Sequence, residues 1–151
     1  MSDNASLVLL ARPHPMIARL MGPVLEEAGM RAGKLSSLDK LDKAMGAGPI
    51  GAVISTSVSS SVEASVEEVF HELRKKDSEI PIVLTTLIKD HQWIPKLFSS
   101  GVRESTRFVD VDADSGVPTS LSRRDVPVLE KDFLSERADL VADLFRRHFR
   151  V

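Results

Sequence analysis

The sequence predicts an α/β fold with a parallel sheet, and two observations lead to that class. Short apolar runs that suit buried strands recur along the chain, at residues 7–10, 50–55, 80–86 and 126–129. Between them lie segments whose apolar residues recur at helical spacing. Strands that alternate with helices pair in parallel through right-handed crossovers, and the helices cover both faces of the sheet.

The first strand and the first helix are the most clearly marked elements. Residues 7–10 are continuously apolar, which is typical of a strand buried on both faces. From Pro15 the apolar spacing becomes helical, and Gly29 predicts the end of that helix. Pro23 lies inside it and predicts a kink. His14 stands between two prolines, where we expect it to cap the helix.

The middle of the chain continues the alternation. Residues 30–34 are a weak strand candidate, and residues 38–45 predict a short helix before a stretch of glycine and proline. A serine-rich loop at 55–61 follows the next strand. It leads into a helix whose apolar face runs over 62–73 and whose end is basic, as a helix C-terminus prefers.

The fourth helix is predicted to be short, and an irregular insertion follows it. Apolar residues over 93–98 predict the helix, and Gly101 predicts its end. Residues 101–125 are rich in Asp, Ser, Gly and Pro, which are typical of loops. We interpret this segment as an insertion, although 106–111 also suits a short strand.

Together the elements predict a flavodoxin-like, doubly wound sheet of five parallel strands. The fifth strand, at 126–129, leads into a final helix over 134–149. Such a sheet has the strand order 2-1-3-4-5, here with the insertion before the fifth strand. A length of 151 residues suits a single domain, residues 1–151, with a substantial buried core.

Composition excludes several classes of function. The chain has no cysteine, so disulfides, thiolate catalysis and cysteine-bound zinc are excluded. A net charge of −2 without a dense basic stripe argues against nucleic acid as a partner. No apolar run approaches the roughly 20 residues that span a bilayer, and the N-terminus lacks a basic signal-peptide region. We expect a cytoplasmic protein with no membrane partner and no cofactor.

Three segments resemble the receiver domain of bacterial response regulators. Residues 7–17, including the His14-Pro15 pair, are similar to the first receiver strand and the turn after it. Residues 72–83 are similar to the third helix, the loop and the fourth strand. Residues 129–135 are similar to the end of the fifth strand. Their order and spacing extend the resemblance over nearly the whole chain.

The resemblance implies a degenerate receiver, or pseudo-receiver. In receivers an acidic pair after the first strand holds Mg²⁺, and a carboxylate on the third strand accepts a phosphoryl group. A hydroxyl on the fourth strand and a lysine on the fifth contact that group. On this chain the acidic pair maps to Ala11-Arg12 or Arg12-Pro13, and the acceptor to Thr56 or, one residue earlier, Ser55. The hydroxyl maps to Thr86 or Thr85, and the lysine to Lys131. We therefore expect no metal site and no catalytic residue, and the chain is not predicted to be an enzyme.

Two interpretations of the remaining cations stay open. Arg12 and Lys131, with Thr86, could bind an anion at the carboxyl end of the sheet, where ligands of open α/β sheets bind. Alternatively, Lys131 pairs with an acidic neighbour and Arg12 points to solvent.

The aromatic and basic residues near the fourth and last helices predict a partner surface. In receivers this region mediates dimerisation and docking, and aromatic anchors suit an interface core. The alternative is that the aromatic residues pack beneath the insertion. The predicted surface consists of Trp93, Leu97, Phe98, Phe108, Arg137 and Arg146.

The leading functional hypothesis is a phosphorylation-independent protein-interaction module in bacterial signalling or regulation, related to two-component systems. Its partner is expected to be another protein, with a homodimer as one option. The alternative hypothesis is a flavodoxin-like sensor that binds a small anionic ligand at the carboxyl end of the sheet.

Overall fold

Parallel strands form the centre of the molecule. The computed structural model describes residues 5–57, 60–87 and 93–149. The strands are β1 (Ser6–Arg12), β2 (Met30–Lys34), β3 (Gly51–Ser55), β4 (Ile82–Thr86), β5 (Phe108–Val111) and β6 (Val126–Glu130). They form a six-stranded sheet in the order β2-β1-β3-β4-β6-β5, and every pairing is parallel. The predicted α/β class is therefore confirmed.

Helices cover both faces of this sheet. The described helices are α1 (Pro15–Glu27), α2 (Leu41–Gly46), α3 (Val66–Lys76), α4 (Ser100–Ser105), α5 (Lys131–Glu136) and α6 (Ala138–His148). Apolar residues of α1, α5 and α6 share one buried core, and those of α2, α3 and α4 share the other. Successive strand residues alternate between the two cores, so that Val53 of β3 faces α1 and Ile54 faces α3.

The prediction of five strands in the order 2-1-3-4-5 is wrong. The strand predicted as fifth is β6, and it lies beside β4. A further strand, β5, pairs with the outer side of β6, from Phe108 opposite Val126 to Val111 opposite Leu129. It lies inside the segment interpreted as an irregular insertion, where the short strand suggested over 106–111 is present. The strand forms although turn-forming residues surround it, and it pairs with β6 through backbone hydrogen bonds.

The rest of the predicted insertion also has defined structure. Beyond β5 the carboxylate of Asp112 accepts hydrogen bonds from the backbone N–H groups of Asp114 and Ser115. Val117 and Leu121 pack against the core formed with α1 and α6. The segment therefore combines a helix, a strand and a loop that is attached to the core.

Two helix boundaries differ from the predicted ones. Residues 95–97 make only a 3₁₀ turn, and Phe98 then takes an extended conformation (φ −119°, ψ 153°) that directs it into the core. The helix α4 begins later, so Gly101 lies in its first turn and does not end it. The final helix is also divided, because the backbone of Arg137 (φ −126°, ψ 51°) separates α5 from α6.

The start of α1 confirms the role predicted for His14. The His14 Nδ1 atom accepts a hydrogen bond of 3.2 Å from the backbone N–H of Met16. Pro15 occupies the first helical position, where its missing N–H costs no hydrogen bond. Gly29 follows the helix with φ 82°, a left-handed conformation that glycine adopts without steric strain. No helix in the described part of the chain is long and apolar enough to cross a membrane.

Candidate functional site

The carboxyl ends of the central strands bring several of the predicted site residues together. Arg12 is the last residue of β1, Ser55 is the last of β3, and Thr85 lies at the end of β4. The register between β1 and β3 shifts between Leu10 and Arg12, which indicates an irregularity at the end of β1. Parallel strands place all these residues at the same edge of the sheet.

Arg12 links the segments at this edge by donating hydrogen bonds to their backbone carbonyl groups. One of its amino nitrogens, Nη1, donates a 2.7 Å hydrogen bond to the carbonyl oxygen of Ser55 and a second hydrogen bond to that of Ser57. Its Nε donates a 2.7 Å hydrogen bond to the carbonyl oxygen of Ala64, just before α3. The side chain therefore ties β1 to β3 and to the segment that leads into α3.

The Arg12 side chain is buried rather than solvated. Only 8% of the residue is exposed, and burial lowers the pKa of its guanidinium. An arginine nevertheless keeps its charge in proteins, so the site contains a buried cation. The interpretation that Arg12 points to solvent is wrong. Its Nε and Nη1 atoms instead donate hydrogen bonds to backbone carbonyl groups.

The cavity beside Arg12 is too small for a ligand. Its volume is about 10 Å³, and about 10–15 Å³ is needed to hold a single water molecule. The residues around it are mainly apolar, including Leu10, Ile17 and Val53. The polar ones are Arg12, His14, Ser55 and Thr85, and none of the described residues that line it carries a carboxylate.

The hydroxyl at the predicted acceptor position is engaged with the backbone. Thr56 donates from its backbone N–H to the carbonyl oxygen of Thr85 at 2.9 Å. Its Oγ1 donates to the same carbonyl at 3.1 Å. The alternative acceptor, Ser55, accepts a hydrogen bond from the backbone N–H of Ser57 at 3.3 Å. Both side chains thus stabilise the turn after β3.

The other predicted pocket residues lie in several different environments. Ala11 is fully buried in the core on the α3 side of the sheet. Pro13 lines the small cavity beside Arg12. Thr86 is buried and lies opposite Glu130 of β6. Lys131 begins α5 and lies 3.7 Å from an oxygen of Asp132, so it pairs with an acidic neighbour, as one of the two interpretations proposed.

The predicted partner surface divides into exposed and buried residues. Trp93 is 60% exposed and Leu97 is 38% exposed. Lys96 holds its ammonium group 5.4 Å from the centre of the Trp93 ring. Phe98, in contrast, is only 4% exposed, and its ring lies 5.2 Å from those of both Phe70 and Phe108. Placing Phe98 on the surface was wrong, and it packs in the core as the alternative proposed.

The two predicted surface arginines belong to the opposite face of the sheet. Arg146, on α6, donates a 3.0 Å hydrogen bond to the carbonyl oxygen of Glu27 at the end of α1. Arg137 lies between α5 and α6 and is 3.5 Å from Asp139. Trp93 belongs to the segment that packs on the α3 side. Arg146 therefore borders α1 and does not extend the surface around Trp93.

Sequence reasoning missed the partners of Arg12 and a second arginine with buried side-chain nitrogens. The acceptors of Arg12 are backbone carbonyls, which no side-chain pattern reveals. The sequence indicates Arg74 only as part of the basic end of α3, yet two of its side-chain nitrogens are buried and have no hydrogen-bond partner among the described residues. A cation on a predominantly apolar helix face, next to Phe70 and Leu73, was the available signal.

Comparisons with known proteins concern the fold. The chain matches no protein-family model and none of the curated proteins. Among solved structures, it is similar to a sensor protein from Polaromonas sp. JS666, with a TM-score of 0.59, 16% sequence identity and 96% of each chain covered.

Two further similar structures are response regulator receiver proteins. A response regulator receiver protein from Sinorhizobium medicae WSM419 matches with a TM-score of 0.53 and 20% identity, covering 96% of this chain and 98% of that one. A response regulator receiver domain protein from Clostridium thermocellum matches with a TM-score of 0.52 and 11% identity, covering 95% and 94%. These similarities extend over nearly the full length and identify a receiver-like α/β fold.

Proposed function

We propose that this chain is a phosphorylation-independent, receiver-like module that acts by binding another protein in bacterial signalling or regulation. The observation that carries the proposal is the position of Arg12. Its buried guanidinium joins the carbonyl groups of Ser55 and Ala64 at the edge where receiver chemistry takes place. The proposal places the module in the cytoplasm and assigns it no enzymatic activity.

The residues around Arg12 do not fit the magnesium ion of receivers. Mg²⁺ requires oxygen ligands, usually including carboxylates. Within the described structure no carboxylate lines the cavity beside Arg12, and its volume of about 10 Å³ leaves no room for a hydrated ion. A fixed guanidinium would in addition repel a divalent cation. No step of the proposed function passes through a metal.

Arg12 can replace the effect of the ion on the fold. A cation joined covalently to β1 provides donors for the carbonyl groups after β3, and these donors do not depend on a metal or a phosphoryl group. The strand ends are thus held in one arrangement. A module of this kind would present its surface constantly, or respond to a partner rather than to phosphate.

These observations favour the module over a sensor at the same edge. A sensor site built from Arg12, Thr86 and Lys131 needs free donors and an open pocket. The Nε and Nη1 atoms of Arg12 donate to carbonyl groups, Lys131 pairs with Asp132, and the cavity beside Arg12 measures only about 10 Å³. Anion binding is therefore not proposed at the carboxyl end of the sheet.

Trp93 and Leu97 are the centre of the proposed partner surface. Exposed large apolar side chains are uncommon in the described part of the chain. Besides Trp93 and Leu97, Met16 is the third such residue there. Trp is among the residues that most often anchor protein interfaces. Lys96, beside the Trp93 ring, adds a positive charge that suits a partner surface with acidic residues. The partner is another protein or a second copy of the chain.

The test is an association measurement that includes a phosphoryl donor. Light scattering across a concentration series would report self-association, and capture from a native lysate would report a different partner. We expect association that is weakened by Trp93→Ala and unchanged by Mg²⁺ with acetyl phosphate. Met16→Ala, on α1, is the matched control. Association that appears only after phosphoryl donor is added would contradict the proposal.

A further inference from the structure

A cleft of about 160 Å³ opens at the edge of the molecule opposite Arg12. It lies where α3, the end of α4 and the segment before β6 meet. Arg74 and Arg124 line it together with Phe70, His71, Val102 and Thr106. No carboxylate of residues 5–57, 60–87 or 93–149 lines the cleft. Its polar lining therefore offers mainly hydrogen-bond donors and positive charge.

Arg74 presents an unpaired edge of its guanidinium. Its Nε and Nη2 atoms are buried and have no hydrogen-bond partner in the described part of the chain. These two nitrogens form one side of the planar group, the side that donates two parallel hydrogen bonds to a carboxylate or phosphate. The Arg74 guanidinium carbon lies 5.2 Å from the centre of the Phe70 ring. That cation–π contact involves no hydrogen bond and so does not satisfy the buried Nε and Nη2 atoms.

Arg124 brings a second positive charge to the same cleft. Its side chain is exposed, and it makes no hydrogen bond or ion pair with any residue within 5–57, 60–87 and 93–149. Burial and then the charge of Arg124 lower the pKa of Arg74, whereas Glu79 and Asp77 raise it. Two arginines thus face one cleft whose described lining includes no carboxylate, although Glu79 and Asp77 act on Arg74 from outside it, and a bound anion would stabilise this arrangement.

The neighbouring hydroxyl groups and the size of the cleft limit the ligand. Thr106 contributes a hydroxyl, while the Ser105 hydroxyl already donates to the carbonyl oxygen of Gly101 at 2.8 Å. Pockets for drug-sized ligands span about 300–1,000 Å³. A cleft of about 160 Å³ suits a much smaller group.

We propose that this cleft binds a small molecule through a phosphate or carboxylate group. The Nε–Nη2 edge of Arg74 would hold two of its oxygens, and Arg124 would cover it from the solvent side. The site is separate from the Trp93 surface and from the Arg12 edge, so it does not depend on the proposed function. It would give the module a response to a metabolite.

The test is a titration of the isotope-labelled protein with inorganic phosphate and, separately, acetate. Ionic strength is held constant with chloride, and amide NMR signals report the site of binding. We expect saturable shifts at Ser105, Thr106 and Arg124, with the amides around Arg12 unchanged. Saturation by phosphate alone would identify a phosphoryl ligand, and saturation by acetate a carboxylate ligand.

Three variants make the test specific. Arg124→Gln should weaken phosphate binding about tenfold, as expected for the loss of one charged hydrogen bond. Arg74→Lys keeps the charge but removes the two-donor edge, and it should weaken binding at least as much. Arg103→Gln removes an exposed charge from α4 outside the cleft and should leave the affinity within about twofold. Equal affinities in all three variants, or no saturable shift with either anion, would overturn the proposal.

Discussion

The guanidinium of Arg12 lies 2.7 Å from the carbonyl oxygen of Ser55, so a side chain at the end of β1 holds the end of β3. A third segment joins them, because Arg12 also donates to the carbonyl oxygen of Ala64. The interactions form between residues far apart in sequence. They therefore stabilise the folded arrangement of the sheet edge rather than a local turn.

Replacing Arg12 should destabilise the fold. Arg12→Met removes the buried donors and leaves the carbonyl group of Ser55 without its partner, which should lower the free energy of unfolding by about 2–4 kcal/mol. Urea denaturation followed by circular dichroism measures this. Arg19→Met on the exposed side of α1 is the control and should change stability by less than about 0.5 kcal/mol. Equal stabilities of the two variants would show that the hydrogen bonds of Arg12 do not stabilise the fold.

Phe98 and Trp93 should respond oppositely to truncation. Phe98 packs between Phe70 and Phe108, so Phe98→Ala should cost about 3–5 kcal/mol of stability. Trp93 is 60% exposed, and Trp93→Ala should leave the thermal midpoint nearly unchanged while weakening partner binding by about 2 kcal/mol. Thermal denaturation and a binding titration separate the two effects. A large loss of stability in Trp93→Ala would place that residue in the core.

Much of the fold follows from residue patterns, but the outer edge of the sheet does not. Continuous apolar runs identify β1, β3, β4 and β6, because buried parallel strands need them on both faces. The strand β5 has four residues in a segment dominated by turn formers. Its position beside β6 depends on pairing between separate segments of the chain, and the local periodicity of apolar residues does not encode that pairing.

The candidate sites, like the outer edge of the sheet, could be predicted only in part from the sequence. The position of Arg12 at the strand end follows from the resemblance to receivers. Its hydrogen-bond acceptors are backbone carbonyl groups, and every residue has one, so the sequence does not indicate which of them Arg12 contacts. The cleft at Arg74 depends on Thr106 and Arg124, which come from two other segments of the chain. Only the tertiary structure brings these donors together.

The loop before β6 should depend on one buried carboxylate. Asp125 is 7% exposed, and its Oδ2 accepts hydrogen bonds from the backbone N–H of Ser122 at 2.9 Å and from Arg107 at 3.1 Å. Asp125→Ala should cost about 1–3 kcal/mol and speed tryptic cleavage after Arg123. Arg107→Gln removes only the ion pair, in which the Arg107 side chain is 64% exposed, and should cost less than about 1 kcal/mol. The opposite ranking in denaturation and proteolysis would refute this assignment.

Gly51 should tolerate no side chain. A Cβ atom added there would overlap the ring of Phe149, which follows α6 and packs on β3. Gly51→Ala should therefore destabilise the protein by about 1–3 kcal/mol. Gly46→Ala is the matched control, since the last residue of α2 has open space around it and alanine favours a helix by up to about 1 kcal/mol. Thermal denaturation of both variants should show midpoints shifted in opposite directions.

The measurement that tests the central claim most directly is intact-mass analysis after incubation with acetyl phosphate and Mg²⁺. The proposed function rests on a guanidinium at Arg12 and hydroxyl groups at Ser55 and Thr56, which provide neither metal ligands nor a carboxylate nucleophile at this edge. We predict an unchanged mass under conditions in which a phosphorylatable receiver gains one phosphoryl group. A stoichiometric, acid-labile phosphoryl adduct on this chain would contradict the account.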